Sequence, residues 1–293
     1  MITLQSDALT VTIRELGAEL ASIQDRKTGY EFLWQADANY WPRQAPVLFP
    51  IVGGLKGSQY RYKDQAYTLP RHGFARDKVF SVHSQTAEQV TFELTHDEET
   101  LNDYPFEFTL HITYRLQGNQ LTVSYDVWNP STEQPLYYSI GGHPAFNVSH
   151  NEHAEFEGVT YHFTPEKAYT RLPMSQDWNI DTAQASRVVV PQTTLTHDTF
   201  HHDALIYEID EQTEVVLTDA PSGTTIRLQA QEMPYLGIWS PYPAKAPFVC
   251  IEPWAGIADT EDATGELTNK LGIQHLAANQ HNTHHYTMTF EKA

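Results

Sequence analysis

Cysteine is nearly absent. The 293 residues contain one, Cys250, so no intrachain disulfide can form, and its place in the apolar run FVCIE reads as a buried, inert thiol. Basic residues are scarce: 18 Lys and Arg stand against 37 Asp and Glu, a formal net charge of -19 with histidine neutral. A nucleic-acid backbone or an anionic membrane would be repelled unless a local basic patch opposed this balance, and the sequence holds none. Long hydrophobic runs are missing as well. No stretch approaches a bilayer span, and the opening MITLQSDALTVTI lacks the basic-then-apolar order of a secretory signal. Together with the single cysteine, this predicts a protein of the reducing cytoplasm.

Long amphipathic patterns at 3.6-residue spacing are also lacking, and the best short helical candidate is DATGELTNKLG, residues 262–272. What the chain has instead is alternation. Val90, Phe92 and Leu94 form one period-two set, Phe106, Phe108, Leu110, Ile112 and Tyr114 a second, and Leu121, Val123, Tyr125 and Val127 a third. Gly118 and Asn119 fall where the second set must reverse into the third, and Pro221 to Gly223 offer the same turn chemistry further on. With 40% hydrophobic residues a sizeable core can form. No linker, low-complexity tract or internal repeat divides the chain. The reading is all-β: one large antiparallel sandwich over residues 1–293, with a concave face able to hold a ligand.

Three segments place an ionisable residue where a solvated loop would not need one: LPRHGFARDK, IGGHPAFNV and FVCIEPWAG. In the last, Pro253 cannot continue a ladder normally, so Glu252 is expected at a strand end beside Trp254. A carboxylate there is partly desolvated, which suits either a general base or a structural hydrogen bond or ion pair. In YYSIGGHPAFNV the glycines allow close backbone approach and an unusual turn, while Pro144 stiffens the exit behind His143.

Taken together and in this order, His72 to Arg76, Gly141 to Phe146 and Glu252 to Trp254 resemble the aldose 1-epimerase, or galactose mutarotase, family and most of all its LacX-like branch. The resemblance extends from RELGAELASI and YEFLWQAD to the closing HHYTMTFEKA. It implies a β-supersandwich with sugar in the concave face and an isomerase that interconverts the α and β anomers of an aldohexose without a cofactor. It further implies that Glu252 is the general base, His143 the general acid and His72 a second imidazole at the sugar ring. Arg43 in YWPRQAPVLFP and Asp203 in FHHDALIY match positions that bind sugar hydroxyls.

The chemistry agrees with those residue types. Anomer exchange requires the O1 proton to leave while the ring oxygen O5 gains one, so that the ring opens to an aldehyde, and a carboxylate with an imidazolium can do both. Retention of all three of His72, His143 and Glu252 favours an enzyme over a non-catalytic carbohydrate-binding protein. The segment RHGFAR departs from the galactose mutarotase branch and resembles the LacX-like and hexose-6-phosphate branches, which leaves a hexose-6-phosphate 1-epimerase as the alternative. Arg71, Arg76 and Lys78 would then bind phosphate, or else pair with acidic neighbours, the reading preferred here together with a neutral aldose. Phe146 and Trp34 are candidates to pack on the sugar's apolar face.

Other features carry less. His281, His284 and His285, and the pair His201 and His202, have no Cys or carboxylate at a ligand spacing, so no metal is expected. GGLKG lacks the spacing of a phosphate loop, and Asn147 to Ser149 match a glycosylation acceptor by chance. The chain is expected to act as a monomer or homodimer on a small sugar.

Overall fold

The computed structural model describes residues 1–293. Two large antiparallel sheets dominate, one of nine strands and one of eight, accompanied by a three-stranded sheet at the N-terminus and two two-stranded ribbons. The alternating sets each place their apolar residues on one buried face. Gln89–Thr95, Thr109–Gln117 and Gln120–Trp128 lie side by side in the nine-stranded sheet, with Val90, Leu110, Ile112, Val123 and Val127 fully buried. Phe106 and Phe108 are buried too, but in the approach to the strand, which begins at Thr109. The turns fall as read: Gly118 and Asn119 join two strands in direct register, and Pro221 to Gly223 join Glu214–Asp219 to Thr224–Gln231. Gly118 takes the left-handed conformation that such a tight reversal asks for.

The helical candidate in residues 262–272 is reduced to a single 3-10 turn, Leu267–Asn269. The sole α-helix is Glu98–Asp103, capped by Asp97, whose side chain accepts from the Thr100 N–H. In the longer polar stretch, Gly265 at φ 82° breaks the first turn.

The eight-stranded sheet is organised around Phe248–Ala255, every residue of which is buried. On one side it pairs with Tyr235–Trp239. On the other its partner is broken: Ile140–Gly142 pairs near one end and Ala145–Asn147 near the other, with His143 and Pro144 bridging the gap. This break explains why the strand runs through Pro253 instead of stopping before it. The Ile251 N–H donates to the Pro144 carbonyl, so two residues on the Pro253 nitrogen faces the same side, at the margin of the gap, where pairing with Ile140–Gly142 ends at Gly141 opposite Trp254 and a single donor is lost.

The glycines before His143 serve proximity, and neither has a positive φ. A Cβ on Gly141 would stand 2.5 Å from the Trp254 ring, and one on Gly142 would stand 2.6 Å from the Tyr286 hydroxyl. The first contact lies on the cavity side and the second on the core side, where Tyr286 and Tyr125 reach over from the nine-stranded sheet.

Candidate active site

His143 and Glu252 meet at the bottom of a cavity of ≈ 210 Å³ on the eight-stranded sheet. The imidazole Nε2 lies 3.1 Å from Glu252 Oε2, and both side chains are at least nine-tenths buried. Aromatic rings hold the histidine: Trp41 stacks on it at 4.9 Å between centroids, and Trp239 meets it edge-on at 5.5 Å. Cys250, two residues before Glu252 on the same strand face, offers its sulfur to the same group of atoms. Burial holds its thiol well above the usual range, as a neutral group.

Burial also sets the protonation of the pair. It drives the Glu252 carboxyl well above its ordinary value, with the neighbouring Asp203 charge adding to the effect, and it pushes His143 down to about 3. Both shifts favour the uncharged pair, with the proton on the carboxyl and the imidazole neutral. Moving that proton across 3.1 Å converts a neutral pair into carboxylate and imidazolium, a base beside an acid, without exchange with solvent.

His72 forms one wall, in the left-handed conformation at φ 69°. Its Nδ1 accepts from the Gly53 N–H at 3.1 Å, while its own backbone N–H donates to the Gly53 carbonyl at 2.9 Å. Burial, and after it the His143 charge, holds the ring well below the usual histidine range, so it is neutral. With Nδ1 occupied as an acceptor, the proton resides on Nε2, and the ring is a hydrogen-bond donor.

Asp203 forms the opposite wall, also left-handed at φ 71°. Burial raises its carboxyl above the ordinary range, partly offset by Arg71, whose Nη1 lies 3.8 Å away, and by a hydrogen bond from the Trp239 side chain. Backbone strain at two wall residues, costing of order 1–3 kcal/mol each, is common where a side chain must be aimed.

The structure thus brings His72, His143, Asp203 and Glu252 into one cavity and leaves Arg43 outside its lining, bonded to Asp77 at 2.9 Å. Phe146 and Trp34 do not face the cavity either. Phe146 points into the inter-sheet core, 6.1 Å from the Phe290 ring, and Trp34 packs on Phe248 with its indole N–H donating to the Trp41 carbonyl. The aromatic surface comes instead from Trp41, Trp239 and Trp254. Trp41 and Trp239 carried no motif in the sequence, although Trp41 lies two residues before Arg43 in the YWPRQ segment singled out for another reason.

Of the cationic trio, Lys78 points away and pairs with Glu99 at 2.6 Å. Arg71 and Arg76 line the cavity, each with its nearest carboxylate at 3.8 Å, and the buried Arg76 Nε has no hydrogen-bond partner. Among the histidines passed over, His284 is a buried structural residue, bonded to the Glu232 carbonyl and the Tyr138 hydroxyl.

The family model for aldose 1-epimerase matches residues 1–272. The chain belongs to the aldose 1-epimerase family. It is 34% identical over 278 residues to the chromosomal protein LacX of Lactococcus lactis subsp. lactis, covering 92% of each chain. Among solved structures it resembles a galactose mutarotase related enzyme from Lactobacillus acidophilus, with a TM-score of 0.94 and 37% identity over 99% of this chain and 97% of that one. A galactose mutarotase-like protein from Lactobacillus casei superposes with a TM-score of 0.91 at 31% identity, covering 99% and 100%. The aldose 1-epimerase fold accounts for the antiparallel sandwich, and family membership supports a sugar epimerase. No helix is long and apolar enough to cross a membrane.

Proposed function

We propose that the protein is an aldose 1-epimerase that interconverts the α and β anomers of a free aldohexose. The observation that carries this reading is the buried His143–Glu252 contact of 3.1 Å at the base of a sugar-sized, tryptophan-lined cavity. The two oxygens of an anomeric centre are separated by one carbon, so a base and an acid this close can address both at once. Glu252, as carboxylate, accepts the O1 proton; His143, as imidazolium, gives one to O5; the C1–O5 bond breaks and an aldehyde forms. Rotation about C1–C2 and the reverse transfers close the ring on the other face and restore the shared proton. The remaining hydroxyls are held by the His72 Nε2–H donor, by Asp203 and by Arg71, which keeps the open chain from leaving while it rotates.

The test is the approach to equilibrium of freshly dissolved α-anomers, followed by polarimetry or NMR over a panel of free aldohexoses. Acceleration proportional to enzyme concentration is expected, and a rate equal to the buffer alone for every sugar would leave only a carbohydrate-binding protein. A second reading is favoured by one feature: Arg71 and Arg76 both line the cavity with no carboxylate nearer than 3.8 Å, which suits an anionic group, as in a hexose 6-phosphate.

A further inference from the structure

The outer face of the nine-stranded sheet holds a second cluster, unconnected with the sugar cavity. His83, Glu93 and His111 come from three neighbouring strands, Ser81–Gln85, Gln89–Thr95 and Thr109–Gln117. Glu93 and His111 are direct cross-strand partners. In a regular ladder His83 would stand opposite Thr91, diagonal to Glu93 on the same face; a register shift between Val82 and Ser84 makes it the extra residue of a bulge. His83 Nδ1 lies 3.4 Å and His111 Nε2 2.8 Å from the same oxygen, Glu93 Oε2, and all three atoms fall within 4.8 Å of one another.

We infer that His83, Glu93 and His111 form a binding site for a zinc-like divalent transition-metal ion, open to solvent at its fourth position. A tetrahedral ion with bonds of about 2.0–2.2 Å separates adjacent ligand atoms by roughly 3.4 Å. The His83–Glu93 spacing already matches, and the His111 contact need open only slightly. Two imidazoles and one carboxylate select zinc, nickel or copper over magnesium or calcium. Glu93 has no lysine or arginine partner, so nothing cationic competes for it. Asp126, opposite His111 on the next strand, adds negative charge to the same face; its Oδ2 accepts from Thr283 Oγ1 at 2.9 Å and lies 3.1 Å from His281 Nδ1. The side chains of His83, Glu93 and His111 are 52%, 32% and 26% exposed, so an ion can reach them without opening the fold. Its structural effect would be to staple the edge strand Ser81–Gln85, which has one partner strand and is exposed along its length, to that partner and to the strand beyond it.

Calorimetric titration of the untagged full chain with zinc chloride tests this, with cobalt(II) absorption as a second readout. One ion should bind and raise the melting temperature, and His83→Ala and His111→Ala should each weaken binding at least tenfold and abolish the thermal shift. His83 is exposed at the sheet edge, so its variant remains folded and decides the matter alone if His111→Ala is unstable. The double variant of His201 and His202 to Ala should bind as wild type. Absence of binding at millimolar zinc, or undiminished binding in His83→Ala, overturns the proposal, and loss of binding in Cys250→Ala would place the ion at the His143–Glu252 pair instead.

Discussion

Replacing Glu252 by glutamine separates a working base from a structural ion pair. Glutamine nearly preserves the shape and hydrogen-bonding reach of the carboxylic acid but cannot accept and return a proton. Because burial favours the protonated form of Glu252, the substitution exchanges a neutral group for another of the same size, 3.1 Å from the imidazole. Stability should therefore change by less than about 1 kcal/mol, the ordinary worth of a neutral hydrogen bond. Turnover should fall by ~10²–10⁴, the usual contribution of a positioned base, which is about 2.7–5.4 kcal/mol of barrier at 1.36 kcal/mol per tenfold. Sugar affinity should stay within about tenfold, since His72, Asp203 and Arg71 are untouched. The assay is NMR mutarotation at saturating sugar with the spontaneous rate subtracted, alongside a denaturant melt. Wild-type turnover in the variant would refute Glu252 as the base. A stability loss of about 3–5 kcal/mol would refute the neutral ground state, because that is the cost of stranding one member of a buried charged pair.

The same proton count predicts the pH dependence. Activity should rise as pH climbs through the depressed His143 value of about 3, where a second proton leaves the pair, and fall as pH passes the raised Glu252 value, where the last one is lost; an acidic limb at roughly pH 6–7, the ordinary histidine range, would refute the assignment. For substrate choice, Arg76→Ala should leave turnover of the free hexose within a few-fold. If the second reading holds, the wild type will strongly prefer the 6-phosphate and the variant will lose that preference through KM, by roughly 1.5–3 kcal/mol per charge-assisted hydrogen bond; kinetics on both sugars decides.

Much of this was legible from local pattern. Period-two alternation located strands because one face of each is buried and the other is not, and the positions of Gly118 and of Pro221 to Gly223 fixed two reversals. His72, His143 and Glu252 were visible because each stands in a segment whose glycines or prolines have no simple strand use. What stayed hidden depends on contacts between distant segments. Arg43, expected at the sugar, pairs with Asp77 from the turn after His72, an ion pair no spacing could reveal. Phe146 looked available beside His143, yet it turns into the core once Ala145–Asn147 joins the sheet. Glu252 was placed at a strand end by the rule against proline in ladders, which yields here because the neighbouring strand is itself interrupted. His83, Glu93 and His111 have no motif spacing at all, and only the pairing of three strands brings them together.

The pinched glycines give the cavity floor no insulation. Between Gly141 and Gly142 the wall separating ligand space from the interior is one backbone thick, with Trp254 on one side and Tyr286 on the other. Substitutions at Tyr125 or Tyr286, invisible from the cavity, would therefore displace the peptide that carries His143 and tilt the imidazole against Glu252. Selection for a different sugar has two routes in such a molecule: recarving the visible walls, or adjusting the floor from behind.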